Sequence, residues 1–147
     1  MKILIISPGK AHSTELRGAI AEYEKRLSNA LPIEWAFPSV GTKESEGTAI
    51  LKLMKSEDLV VLLDERGKEI DSPGLAALLD AQLQQGTKRL VFVIGGAFGV
   101  SEAVRERANL TLRLSALVFP HMLVRLLLVE QLYRAWSIRS GGKYHHA

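Results

Sequence analysis

The stretch that decides the fold is LVFVIGGAFG, residues 90–99, which is followed by Val100 and Ser101. Its first five residues are all apolar, which indicates a strand buried on both faces, as strands of parallel sheets are. The glycines that follow allow a ligand to approach bare backbone amides, and Ser101 is a typical N-cap residue for a short helix. The stretch therefore predicts a strand, a loop and a helix in succession, with either a ligand site or a simple tight turn at the loop.

The same alternation of strand and helix signals runs along the whole chain. Leu59–Leu63 is a second continuous apolar run and indicates another doubly buried strand, while Ser72 and Pro73 open a helix as its cap and its first residue. No repeat or Pro/Ser-rich linker interrupts the pattern, so we expect a single domain over residues 1–147. The expected fold class is α/β, with a mostly parallel sheet of five to six strands and helices on both faces. Further strands are expected at Lys2–Ser7, Pro32–Pro38 and around Leu110–Ser115, and helices at Ser13–Asn29, Ser45–Ser56, from Ser72 to before Gly86, and from about His121 to Ile138.

Three strand ends should form the functional rim, because ligands of such sheets bind at the carboxyl ends of the strands. They are Leu63-Asp64, Gly95–Gly99 and Ser115–Pro120. The glycine spacing is neither a dinucleotide fingerprint nor a P-loop, and no G-x-S-x-G motif is present. The pattern thus indicates where a ligand binds better than which ligand it is, and Asp64 is expected in an ion pair or a loop cap.

The positive charge of the chain is concentrated at its end. Residues 1–120 carry equal numbers of basic and acidic side chains, so the net charge of +3 lies entirely in residues 121–147. This suits a polyanionic partner, although many small domains have a slightly basic tail. The absence of cysteine excludes disulfides and thiolate sites. The apolar run Ile3–Ile6 is too short for a signal peptide, so a cytoplasmic location is expected.

The expected closing helix, His121–Ile138, is apolar on nearly every face. Its charged residues Arg125, Glu130 and Arg134 argue against a membrane span. A helix that is apolar all round is buried all round, so we expect either a homodimer contact or a helix sunk in its own core. Arg125 and Arg134 are nine residues apart and should point to opposite sides, one toward the ligand rim and the other toward a subunit contact, unless both are merely solvated or ion-paired.

The terminal segment Gly141–Ala147, GGKYHHA, combines a cation, an aromatic ring and two imidazoles. Such a mixture can stack on a base, contact phosphate and move a proton. A frayed end or a tag remnant is the alternative. No metal is expected, because two adjacent histidines without a third ligand make a poor site.

Taken together, several segments resemble one family over essentially the whole chain. They are LLDERGK (62–68), FVIGGAFG (92–99), LSALVFPH (114–121), RLLLVEQLYRAWSI (125–138) and the terminal Tyr144-His145, with EYEKRL (22–27) in the first helix. In this order they are similar to the ribosomal large-subunit pseudouridine N3-methyltransferases of the knotted SPOUT superfamily. Here Tyr144-His145 is followed by His146-Ala147, where relatives tend to have a charged residue, which puts a role for a terminal cation in doubt.

The resemblance implies a C-terminal trefoil knot, an obligate homodimer and S-adenosylmethionine as cofactor. It implies a large-subunit ribosomal RNA substrate, in which N3 of a pseudouridine is methylated on the ribosome, with no metal and no membrane involved. The residues that would gather around a flipped-out base are Arg134, Tyr144 and His145. The residues that would contact the cofactor are Leu63, Gly95, Leu114, Ser115, Ala116, Leu117, Val118 and Phe119.

Two other functions are compatible with the same fold. One is a non-catalytic dimeric module that binds RNA or a nucleotide. The other is a knotted methyltransferase that acts on transfer RNA. Labelled-methyl incorporation into ribosomes, free ribosomal RNA and transfer RNA separates the three.

Overall fold

A parallel five-stranded sheet forms the centre of the computed structural model, which describes residues 1–96 and 98–146. The strands are β1 (Lys2–Ile6), β2 (Ile33–Ala36), β3 (Leu59–Glu69), β4 (Arg89–Ile94) and β5 (Leu110–Arg113). Their order across the sheet is β2-β1-β4-β3-β5, and each neighbouring pair is parallel. The expected α/β class is therefore confirmed, with five strands.

Helices cover both faces of the sheet. They are α1 (Thr14–Leu27), α2 (Lys43–Lys52), α3 (Ser72–Gln84), α4 (Glu102–Arg107) and α5 (His121–Arg139). One core lies between the sheet and α1, α3 and α5, and a smaller one lies between the sheet and α2 and α4. Residues Leu90 to Ile94 of β4 alternate between these two cores and are at most 3% exposed, as the continuous apolar run predicts.

Strand β3 is six residues longer than predicted. It was expected to end at Leu63 but continues to Glu69, with an irregular register against β5 between Leu63 and Lys68. A Cβ atom on Gly67 would lie 2.6 Å from the backbone of Leu112, so this approach requires a residue without a side chain. The extension carries polar residues because it lies at the rim of the sheet rather than in the core.

The predicted cap of α3 is wrong by one residue. Asp71, not Ser72, is the N-cap, and its carboxylate accepts a hydrogen bond of 2.8 Å from the amide of Gly74. Ser72 is the first helical residue, and Pro73 follows it in the first turn, where a missing N–H costs nothing. The hydroxyl of Ser72 instead donates to Gln131 of α5 at 2.6 Å, which joins the two helices.

Helix α5 lies on the sheet between α1 and α3. Its side chains Leu128, Val129, Leu132 and Ala135 are fully buried in the core of the chain itself, and its outward side chains are partly exposed. Of the helices that the structure describes, none has the length and apolarity to cross a bilayer. The homodimer and the trefoil knot stay predictions.

Candidate active site

A cavity of about 370 Å³ opens at the carboxyl edge of the sheet. It is formed by the middle of β3, by the loops that follow β4 and β5, and by the first turn of α5. This is the edge at which parallel α/β sheets bind ligands, and the volume suits a small molecule. The lining residues are Leu63, Asp64, Glu65, Ile94, Gly95, Gly96, Gly99, Arg113, Leu114, Ser115, Leu117, Val118, Phe119, Pro120, His121 and Val124.

The residues predicted to contact a cofactor meet at this cavity. All of them line it except Ala116, which the structure does not place among the lining residues. The hydroxyl of Ser115 accepts a hydrogen bond of 2.9 Å from the amide of Leu117, which holds the bend after β5 in shape. Leu117 and Val118 are 71% and 78% exposed, so this loop forms the outer wall of the cavity.

The glycine loop is both a tight turn and part of the cavity wall. The amide of Gly99 donates to the carbonyl of Gly96 at 3.0 Å, and Gly99 has a φ of +82°, which favours glycine. A Cβ atom on Gly95 would lie 3.2 Å from Val100 and 3.6 Å from the backbone of Gly99, so a larger residue would disturb the packing of this loop. Ala97, in the middle of the loop, lies outside the described residues. The sequence left open whether the loop is a ligand site or a simple tight turn, and these two interpretations are compatible.

The acidic group at the end of the apolar part of β3 is ion-paired, as expected. Asp64 accepts hydrogen bonds from Arg105 at 2.8 Å and from the amide of Arg66 at 2.9 Å. Burial opposes ionisation of this carboxyl group, but the two hydrogen bonds and the nearby guanidinium groups outweigh it and lower the pKa of Asp64. Asp64 is therefore a fixed negative charge at the rim and not a proton donor at neutral pH.

Arg125 serves neither the rim nor a subunit contact in this chain, because it is fully buried. Its guanidinium donates to Ser7 Oγ and to the carbonyl of Lys10, both at 2.9 Å, and lies 4.6 Å from the ring centre of Phe37. Burial and the charge of Arg125 lower the pKa of His121, which lines the cavity. His121 is therefore a neutral imidazole at neutral pH.

The three residues predicted to surround the base form a second cluster. Arg134 donates to Glu130 at 3.0 Å and lies 3.2 Å from Nδ1 of His145, and its guanidinium is 4.8 Å from the ring centre of Tyr144. The hydroxyl of Tyr144 is 3.1 Å from that of Tyr23. This hydrogen bond, together with burial and the charge of Glu130, raises the pKa of Tyr144 well above its usual value.

The cavity and this second cluster do not meet within one chain. Arg134, Tyr144 and His145 are absent from the cavity lining. His121, which does line it, is thirteen residues before Arg134 on the same helix, a distance of about 20 Å along the helix axis. The chain thus presents a ligand cavity at one end of α5 and a cationic, aromatic cluster toward the other.

Nine of the sixteen lining residues were not predicted as cofactor contacts, and two of these, Arg113 and His121, have basic side chains. Arg113 directly precedes the predicted segment Leu114–Phe119 and His121 follows it after Pro120, so this proximity in sequence was the only signal available. Over residues 1–96 and 98–146, no three His, Asp or Glu side chains come together as a metal site would require.

The fold and the cavity define an α/β protein with a candidate site for a small ligand at the carboxyl edge of a parallel sheet. A family model described as "Predicted SPOUT methyltransferase" matches residues 1–145, and the chain belongs to this family of methyltransferases. It is 39% identical to the ribosomal RNA large subunit methyltransferase H of Geotalea daltonii, over 99% of this chain and 100% of that one. It is 40% identical to the protein of the same name from Parabacteroides distasonis, over 99% of each chain.

Proposed function

We propose that this methyltransferase transfers the methyl group of S-adenosylmethionine to N3 of a pseudouridine in large-subunit ribosomal RNA, with residues 1–147 acting as one domain of a homodimer. The observation that carries the proposal is the meeting of the predicted cofactor residues at one cavity, at the edge where this fold binds ligands. The names of the full-length relatives support a ribosomal RNA substrate. Such a substrate implies a cytoplasmic location.

The cavity fits S-adenosylmethionine in size and chemistry. The side chains of Leu63, Ile94 and Phe119 offer an apolar surface to an adenine ring, and the glycine loop offers backbone groups at close range. When bound, the sulfonium supplies a methyl group that is already activated for displacement. The protein then has to hold the acceptor nitrogen in line with that methyl group, and this positioning supplies much of the rate.

The cluster around Arg134 suits an acceptor that must lose a proton. N3 of a uracil-type ring becomes a nucleophile when its N–H is deprotonated, and a guanidinium beside it stabilises the resulting anion. Tyr144 remains protonated because its pKa is raised, so its hydroxyl acts as a hydrogen-bond donor and not as the base. His145, beside Arg134, completes the contact surface for the base.

A homodimer would bring the two regions together. Because the Arg134 cluster and the cavity are separated within one chain, a second copy is needed to place the cluster of one chain at the cavity of the other. The apolar side chains Phe98, Leu117 and Val118 at the cavity rim are 71–83% exposed, which supports a covering partner.

Mixed dimers test this arrangement. Gly95→Val places a branched side chain against Val100 and Gly99 and so disturbs the loop that forms the cavity wall, and Arg134→Ala removes the cation, so homodimers of either variant should be inactive. A dimer purified with two different tags, one on each variant, retains one intact site, and we expect about half of the wild-type rate. No recovery in a mixed dimer shown to be folded would contradict a site shared between subunits.

The cofactor and the substrate class are tested separately. Calorimetric titration with S-adenosylmethionine, with ATP and NAD as controls, should show selective binding of the first. Labelled-methyl transfer should then be highest with ribosomal large subunits, compared with free ribosomal RNA and transfer RNA. Binding without transfer to any RNA would favour a non-catalytic module, and transfer to transfer RNA alone would replace the substrate assignment.

A further inference from the structure

Arg113, the last residue of β5, stands out among the residues that line the cavity. It is the only lysine or arginine in the described lining. The other charged side chains there are Asp64 and Glu65, and Asp64 is already engaged by Arg105. Among the described lining residues, Arg113 thus carries the one guanidinium, and the proposed contacts leave its role unexplained.

The hydrogen-bonding capacity of this guanidinium is largely unused within the chain. Nε of Arg113 is buried and has no hydrogen-bond partner among residues 1–96 and 98–146. The carboxylate paired with it, that of Glu69, is 3.6 Å from Nη2, beyond hydrogen-bonding distance. The Glu69 side chain is also 64% exposed, so water screens the pair. By contrast, Arg105 and Arg89 each hold a carboxylate at hydrogen-bonding distance.

We propose that Arg113 binds the α-carboxylate of the methionine part of the methyl donor, an inference that rests on the proposed function. S-Adenosylmethionine carries one carboxylate, which needs a cation or several N–H donors when it leaves water. A guanidinium offers two parallel N–H groups that match a carboxylate. Glu65, in the same lining, provides the opposite charge for the α-ammonium group.

This role makes Arg113 a binding residue and not a participant in methyl transfer. The carboxylate is several bonds away from the sulfonium, so its contact is the same before and during the displacement. Loss of such a contact weakens donor binding and raises the KM for the donor, while kcat at saturating donor stays unchanged.

The test compares two ligands and three forms of the full-length protein by calorimetry. The ligands are S-adenosylmethionine and its decarboxylated analogue, which differ only in the carboxylate. The forms are the wild type, Arg113→Gln and the control Arg66→Gln. Arg66 is a 70% exposed cation on the same rim that does not line the cavity, so its loss changes the general charge without removing the contact.

We expect Arg113→Gln to bind S-adenosylmethionine about 10- to 100-fold more weakly than the wild type, the range for a hydrogen-bonded charge pair. Its affinity for the decarboxylated analogue should equal that of the wild type. Arg66→Gln should bind both ligands as the wild type does. Arg113→Lys keeps the charge but loses the two parallel N–H groups, so its affinity for S-adenosylmethionine should lie between those of the wild type and Arg113→Gln.

Three results would overturn the proposal. The first is equal weakening of both ligands by Arg113→Gln, which would indicate a structural role. The second is unchanged donor affinity with a raised KM for RNA, which would assign Arg113 to a phosphate of the substrate. The third is equal weakening by Arg66→Gln, which would indicate a general effect of charge. If the folded wild type bound no S-adenosylmethionine, the proposed function itself would be refuted, so the two failures are distinguishable.

Discussion

Replacing the buried Arg125 by methionine should destabilise the protein although methionine is apolar and of similar length. The guanidinium holds the loop between β1 and α1, through Ser7 Oγ and the Lys10 carbonyl, against helix α5. Hydrogen bonds from a charged donor contribute about 1.5–3 kcal/mol each. Part of that gain is offset in the wild type, because burial disfavours the charged form and lowers the pKa of Arg125.

The expected loss follows from what the substitution leaves behind. In Arg125→Met the Ser7 hydroxyl and the Lys10 carbonyl lose their partner. Ser7 is buried, and an orphaned buried group costs about 1–3 kcal/mol, whereas Lys10 is exposed and water can replace its partner at a lower cost. Removal of the desolvated charge offsets some of this cost, so we expect the free energy of unfolding to fall by about 1–3 kcal/mol. The double variant Arg125→Met, Ser7→Ala lacks one orphan and should recover about 1–2 kcal/mol.

Urea unfolding at pH 7.5, followed by circular dichroism, measures these differences. The control is Arg139→Met, which removes a surface ion pair with Asp80 and should cost at most about 1 kcal/mol. An Arg125→Met variant as stable as the wild type would refute the assignment of Arg125 as the tie between α5 and the loop. If Ser7→Ala in the Arg125→Met background did not recover stability, only the claim that the unpartnered Ser7 hydroxyl destabilises the variant would be refuted.

Three further predictions concern the rim of the sheet. Gly67→Ala places a Cβ atom 2.6 Å from the backbone of Leu112 and should lower the free energy of unfolding by about 1–3 kcal/mol in urea; an unchanged value would mean that the two strands can separate freely. Asp64→Asn removes the ion pair with Arg105 of α4 and should lower the Tm of the protein, whereas an equal or higher Tm would show that the pair is not stabilising. Burial and nearby arginines lower the pKa of His12 and His121 from 6.5, so the folded protein binds fewer protons than the unfolded one. Stability should therefore be complete above pH 6.5 and decline below it, and urea titrations from pH 5 to 8 should show a shallower decline when both are replaced by asparagine.

The central strands could be predicted because short, continuous apolar runs that end at a turn are typical of strands buried on both faces. Five consecutive apolar residues before a glycine loop suit a doubly buried strand, and β4 lies within one residue of its predicted range. The second half of β3 could not be predicted, because Asp64–Glu69 is polar and has no strand pattern of its own. It is part of the strand because Lys68 and Glu69 pair with β5. That pairing depends on Gly67 meeting Leu112, which are far apart in sequence.

The position of the cavity could be predicted from the strand ends, but the use of individual arginines could not. A sequence does not reveal which carboxylate an arginine reaches. Arg125 is buried because Ser7 and Lys10 accept its hydrogen bonds from more than a hundred residues away. Among the described residues, the carboxylate paired with Arg113 is that of Glu69, and it lies 3.6 Å from Nη2, beyond hydrogen-bonding distance. The family resemblance, and not periodicity, pointed to Arg134 as a base contact.

The central claim, methyl transfer to N3 of a pseudouridine, is tested most directly by analysing the modified nucleoside itself. Large ribosomal subunits that lack the modification are incubated with the protein and S-adenosylmethionine carrying a labelled methyl group, and the RNA is digested and examined by mass spectrometry. We predict a single labelled nucleoside, N3-methylpseudouridine, and none with Arg134→Ala. Label on another base or on a ribose, or no label in RNA from a protein shown to bind the donor, would contradict the claim.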